Sequence, residues 1–221
     1  MTHSSEVSIN PENKRIEALQ ENFCGIFNEN KRTEAEELFE TVVREHQADS
    51  RKYHNLEHIE KMLDFLKTHE QEIKDVVGVK LATYFHDIVY DPKAKDNEEK
   101  SAEYAQDYVT RLGIPKDIIS HVLALIRATE KHKIINDDSD SAIFLDGDLA
   151  ILGSSEEEYG EYAKKIREEY LWVPDEQYRI GRKKVLQGFL DRPKIYFTQR
   201  VIEELEQQAR RNIKKEITDL S

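Results

Sequence analysis

Cysteine is almost missing from this chain: Cys24 is the single one among 221 residues. That excludes an internal disulfide framework and any paired Cys-x-x-Cys metal site. No uncharged run approaches the roughly 18 residues a membrane span requires. The opening Met-Thr-His-Ser-Ser-Glu has neither the basic nor the apolar region of a signal peptide. A soluble, cytoplasmic protein without a membrane partner is the expectation. Positive charge is short as well, with 33 Lys and Arg against 45 Asp and Glu and a net charge of −12. A long nucleic acid is therefore a poor partner, because its phosphates need clustered cations. Gly-x-Gly-x-x-Gly, Gly-Lys-Ser/Thr and Gly-x-Ser-x-Gly are all absent. With them go the usual signatures of dehydrogenases, phosphate-loop motors and serine hydrolases. Internal repeats and low-complexity tracts are lacking too.

Only eight glycines and five prolines punctuate the chain, and the apolar residues between them recur at steps of three and four. The pattern predicts an all-α protein. Leu, Ile, Val and Phe number 57, above the roughly one-fifth share below which chains tend to stay disordered. Ile16, Leu19 and Phe23 mark a first helix. Thr33 with Glu36 reads as a capping box opening a second, which carries Leu38 and Val42. Further helices are expected from Leu56, over 75–87, over 97–112, over 115–127 and over 141–152. Ser154 with Glu157 is expected to cap the next, reaching Tyr170, and 175–190 and 198–217 complete the set. Residues 131–140 read as loop.

Three polar side chains occupy positions where these stripes call for apolar ones. His58 shares a face with Met62 and Phe65. His86 follows Val79 and Ala82, and Asp148 lies between Leu145 and Leu152. An inward carboxylate needs a partner, and Asp87 adds a second acid beside His86. Two imidazoles and two carboxylates from separate helices suit a divalent metal. Glu98, shortly after that pair, is a candidate general acid or base. His132 is a candidate to line the pocket, to protonate a leaving group or to join a second metal, with His121 a further candidate there. The pattern His54-Asn55-Leu56-Glu57-His58 also matches inverted zinc proteases, but that reading leaves His86 and Asp148 unexplained. Tyr159, Tyr162 and Tyr170 read as packing rather than as a platform for a base.

His58, the pair His86-Asp87 in Tyr-Phe-His-Asp-Ile-Val-Tyr, and Asp148 in Phe-Leu-Asp-Gly-Asp-Leu-Ala-Ile-Leu-Gly resemble, in this order, the HD superfamily of metal-dependent phosphohydrolases. Tyr53 to Ile59, Asn97-Glu98 with Ser101-Ala102, and Ala128-Thr129 with His132 are similar to an uncharacterised "predicted HD phosphohydrolase" branch. The resemblance reaches the last helix through Tyr178, Gly181-Arg182 and Arg192. It implies an HD-type bundle of roughly eight to ten helices over 51–221, preceded by a helical extension over 1–50 packed on the core. It also implies metal ligands at His58, His86, Asp87 and Asp148. Asp146 competes with Asp148 and is assigned instead to a place behind the ligands, orienting one of them or a water. His54, Asn55, Thr129 and Arg182 are the expected substrate contacts, and Glu98, Asp87 and His132 the catalytic groups.

The implied activity is hydrolysis of a phosphoester in a small metabolite, with a nucleotide foremost. Mixed N and O ligands admit Mn, Co, Ni, Fe or Zn and suit Mg less well. An HD-type di-iron oxygenase and a non-catalytic nucleotide-binding module are the alternatives. An assembly of identical chains is compatible with the sequence.

Overall fold

A computed structural model describes residues 10–221, so the first nine residues of the expected extension lie outside the described part. Ten α-helices and no strand occur among the described residues. They are α1 (Pro11–Cys24), α2 (Arg32–His46), α3 (Leu56–Thr68), α4 (Val76–Phe85), α5 (Asn97–Arg111), α6 (Lys116–Ala128), α7 (Ser139–Leu149), α8 (Glu156–Glu169), α9 (Asp175–Leu190) and α10 (Gln199–Asp219). Short 3₁₀ turns precede α2, follow α3 and follow α7.

Burial follows the expected periodicity. In α3, Leu56, Ile59, Met62, Leu63 and Leu66 face inward together with His58. Helix α4 is apolar nearly all round and lies in the middle, with Val79, Leu81, Ala82, Tyr84 and Phe85 buried. Helices α5 and α6 pack closely along Ala102, Ala105 and Val109 of the former, where small side chains let the axes approach. The α10 helix closes over the turn after α7. A Cβ at Gly153 would stand 2.6 Å from the Leu205 Cβ and 2.8 Å from the Tyr196 hydroxyl, so only glycine fits. Asn212 of α10 donates to the carbonyls of Leu152 (3.0 Å) and Ser154 (2.9 Å).

The first two helices share this core. The Phe23 ring meets Phe39 at 5.7 Å, Tyr84 at 4.9 Å and Phe85 at 6.1 Å between centroids. The Tyr84 hydroxyl donates to the Leu19 carbonyl at 2.9 Å. Residues 10–50 therefore cover the back of α4, on whose far end the site is built.

Several boundaries differ from those expected, each for a local reason. A 3₁₀ turn over Glu29–Lys31 runs straight into α2, so Thr33 is interior, and Glu36 pairs with Arg32 at 3.0 Å instead of completing a cap. The turn Ala150–Gly153 takes up extra residues, moving the α8 capping box to Ser155 and Glu158. Asp138 accepts from the backbone N–H groups of Asp140 and Ser141 and starts α7 at Ser139. Helix α4 ends at Phe85, which leaves His86 as its C-cap.

Because Phe23 is fully buried against α4, Phe23→Ala is expected to cost about 3–5 kcal/mol within a single cooperative urea transition. A loss below about 1 kcal/mol would instead make α1 a separable appendage.

Candidate metal centre

Three chain segments converge at the C-terminal end of α4. Helix α3 brings His58 in from one side, α4 ends on His86 and Asp87, and α7 presents Asp148. The His86 Nδ1 lies 3.0 Å from the Thr83 carbonyl. A carbonyl only accepts, so Nδ1 carries a proton and Nε2 turns inward. That Nε2 stands 3.1 Å from the His58 Nε2 and 3.2 Å from the Asp87 Oδ2. Asp148 places Oδ1 at 3.3 Å from the His58 Nε2 and 3.8 Å from the His86 Nε2. His58, His86 and Asp148 form a grouping with donor atoms all within 4.8 Å of one another. Asp87 flanks it from the His86 side. Asp148, rather than Asp146, is the carboxylate that reaches the histidines.

The electrostatics are those of a buried pair of anions. Burial alone would raise Asp148, yet hydrogen bonds from His132 and His58 with the nearby His86 hold it well below the usual carboxylate range. Burial likewise opposes ionisation of Asp87, and His86 beside it more than compensates, so Asp87 also lies far below its ordinary value. Burial would lower His86, but Asp87 and Asp148 outweigh it and lift that imidazole to about 9. Desolvation wins at His58, which is lowered.

His132 joins from the turn after α6, its Nε2 3.0 Å from the Asp148 Oδ2. Its φ of 44° lies in the left-handed region. The Arg192 guanidinium holds that turn by donating to the Lys131 (3.2 Å) and His132 (3.4 Å) carbonyls. On the opposite flank, Arg51 is buried and donates to the carbonyls of Asp87, Ile88 and His54, fixing the backbone behind the His-Asp pair.

The strongest organiser was not foreseen from sequence. Glu169, the last residue of α8, is buried, and its Oε1 accepts from the backbone N–H groups of Lys52 (2.8 Å), Tyr53 (2.8 Å) and His54 (3.0 Å). Its Oε2 takes the His54 Nδ1 at 2.7 Å and the Tyr90 hydroxyl at 2.8 Å. His54 is thereby held stacked on Tyr90, with ring centroids 4.3 Å apart. No sequence signal singled out this residue from the other acids of α8.

A cavity of about 650 Å³ opens beside the cluster and includes His54, Asp87, Glu98, Thr129, His132 and Arg182 in its wall. Glu98 is half-buried there on the first turn of α5. Thr129 spends its hydroxyl on the Ile126 carbonyl at 2.7 Å. Arg182 is engaged by Glu216 through two contacts, 2.8 and 3.1 Å.

Two expected site residues lie elsewhere. Asn55 is the N-cap of α3, accepting from the Glu57 N–H at 2.9 Å, and is no part of this cavity. Asp146 is fully buried on the other side of α7, where it accepts from the backbone N–H groups of Phe197 and Thr198 and the Thr198 hydroxyl at 2.7–2.8 Å. It anchors the start of α10 and touches no ligand, because a step of two residues in a helix turns a side chain by about 200°. His121 likewise bonds Asp75 (2.9 Å) and Asp138 (3.1 Å), away from the cluster. Tyr159 is buried against Glu216 as packing, whereas Tyr162 and Tyr170 do face the cavity.

No family model, no curated protein and no solved structure matches this chain. The geometry alone therefore carries the functional argument.

Burial alone would raise Glu169, but its bonds to His54 and the backbone pull it down to about 2. A carboxylate depressed on folding contributes stability above its unfolded pKa, near 4.5, and that contribution is lost as pH falls toward 2. His54 is raised in return, so its share is present below its ordinary value and fades as pH rises through the elevated one. Glu169→Gln is expected to lose about 2–3 kcal/mol near neutrality and to flatten the acid limb of stability against pH. Denaturant unfolding from pH 7 to pH 2.5 reads both; an unchanged slope would contradict the assignment.

Proposed function

We propose that this chain is a divalent-metal-dependent phosphohydrolase of HD type, acting on a small phosphorylated metabolite in the cytoplasm. The observation that carries the reading is the set of facing acceptors: His86 Nε2, with its Nδ1 committed to Thr83, stands against His58 Nε2 and oxygens of Asp148 and Asp87. Hydrogen bonds among these groups need protons on the imidazole Nε2 atoms, which a bound cation would replace. A divalent cation satisfies all of them, so the residues fit such an ion by number, chemistry and tautomer. Two imidazoles with carboxylate oxygens suit Mn, Co, Ni, Fe or Zn better than Mg.

His58, His86 and Asp148 would hold the ion, with Asp87 beside them. Bound there, it would supply positive charge to a phosphoryl group and increase the acidity of water. The protein's own groups account for the rest. Glu98 lines the cavity, makes no ion pair among the described residues, and is the candidate to take a proton from the attacking water. His132 orients Asp148 through Nε2. His54, steadied by Glu169, keeps Nε2 free toward the cavity and is placed to donate to a substrate oxygen. Among the described residues no helix is long and apolar enough to cross a membrane.

Phosphate release from a panel of phosphoesters, with Mn, Co, Ni or Mg added, tests the reading. Turnover is expected with one of the first three and is expected to vanish in Asp148→Ala together with stoichiometric metal. Glu98→Gln is expected to lower kcat by about 10²–10⁴ while metal affinity changes less than about threefold. Metal-replete protein that releases no phosphate from any substrate would overturn the hydrolase reading, and an unchanged rate in Glu98→Gln would return that side chain to the solvated surface.

A further inference from the structure

The cavity beside the cluster is lined by two kinds of side chain. Part of it is the histidines and carboxylates already described. Tyr162, Ile166, Tyr178, Val185 and Phe189 of α8 and α9 also line it. Val185 is 54% exposed although it lines this space, which leaves apolar surface open for an occupant.

Permanent positive charge is scarce in the same wall. Lys95 and Arg182 are the only lysine and arginine among its described lining residues. Arg182 is compensated by Glu216 at 2.8 Å and rests over the Tyr162 ring at 5.2 Å, so its charge is already spent. Lys95 is exposed on the loop before α5 and makes no ion pair among the described residues. Glu98 stands in the same wall and opposes it in sign. Nearby Arg127 is paired with Glu99, and Arg51 is committed to three backbone carbonyls.

We propose that the substrate is a phosphate monoester with one phosphoryl group on an uncharged body that carries an aromatic ring, and that di- and triphosphates are disfavoured. The inference rests on the cluster binding both a divalent ion and the substrate's phosphate. A single phosphoryl group then has the ion and Lys95. Each further phosphate adds about one negative charge at neutral pH, and beyond Lys95 the wall has only the Glu216-paired Arg182 as a permanent cation, while Glu98 and Glu130 add like charge. The body lies against the aromatic and aliphatic face, where rings gain from stacking and burial. The cavity, at about 650 Å³, lies within the roughly 300–1,000 Å³ range typical of small-molecule sites.

The test compares the mono-, di- and triphosphate of one nucleoside and a hexose phosphate on the Mn-loaded full chain, with Mn kept in excess of nucleotide. Both kcat/KM and the calorimetric Kd are read. The nucleoside monophosphate is expected to exceed the triphosphate and the hexose phosphate by at least about tenfold, which is about 1.4 kcal/mol. Lys95→Ala is expected to weaken all phosphates several-fold. Val185→Asp, at an exposed position that tolerates the change, is expected to weaken the nucleoside monophosphate and spare the hexose phosphate. A triphosphate that binds as well as the monophosphate, or a hexose phosphate that does so, overturns the proposal. If the binding order holds with no turnover of any compound, the substrate assignment stands and the hydrolase reading falls.

Discussion

Everything near the end of α4 depends on one electrostatic constraint: two imidazoles and two carboxylates from separate segments are brought within a few ångströms of one another at the edge of the core. The Thr83 carbonyl holds the His86 Nδ1, so Nε2 is the ring atom that faces the others. His58 and Asp148 arrive on separate helices whose apolar neighbours fix their direction. Moving the cluster apart would expose Ile59, Met62, Phe144 and Leu145, all of them buried. The hydrophobic core thus holds in place an arrangement that its polar members, taken alone, would oppose.

The surrounding polar groups act as ties between backbone segments. Glu169 gathers three successive N–H groups of the loop before α3 and orients His54. Arg51 satisfies carbonyls at the end of α4, Arg192 those of the turn that carries His132, and Asp146 the N–H groups that open α10. Each tie joins segments that lie far apart in the chain. Such residues are conspicuous because ionised side chains are buried only when nearly every lone pair or N–H has a partner.

Helix existence and inward direction were legible in the sequence because both depend on a 3.6-residue period. His58, His86 and Asp148 interrupt apolar stripes, and the structure brings all three together. What the sequence did not disclose depends on the third dimension. Asp146 and Asp148 flank one glycine and look equivalent as text, yet their side chains leave α7 in opposite directions. Asn55 sits beside two site histidines in sequence but spends its oxygen on capping. Glu169 is one acid among several on α8, and its partners in the loop before α3 lie more than a hundred residues earlier. The neutralisation of Arg182 was likewise invisible until Glu216 appeared opposite it.

The central claim is that the facing acceptors hold a divalent ion. Anomalous diffraction at the Mn edge from crystals of the full chain grown with Mn²⁺ tests it most directly. The account predicts one strong peak within about 2.0–2.3 Å of His58 Nε2, His86 Nε2 and an Asp148 oxygen, lost in His86→Ala. A fully ordered site with no peak at saturating Mn²⁺, or a peak bound only by surface carboxylates, would contradict it.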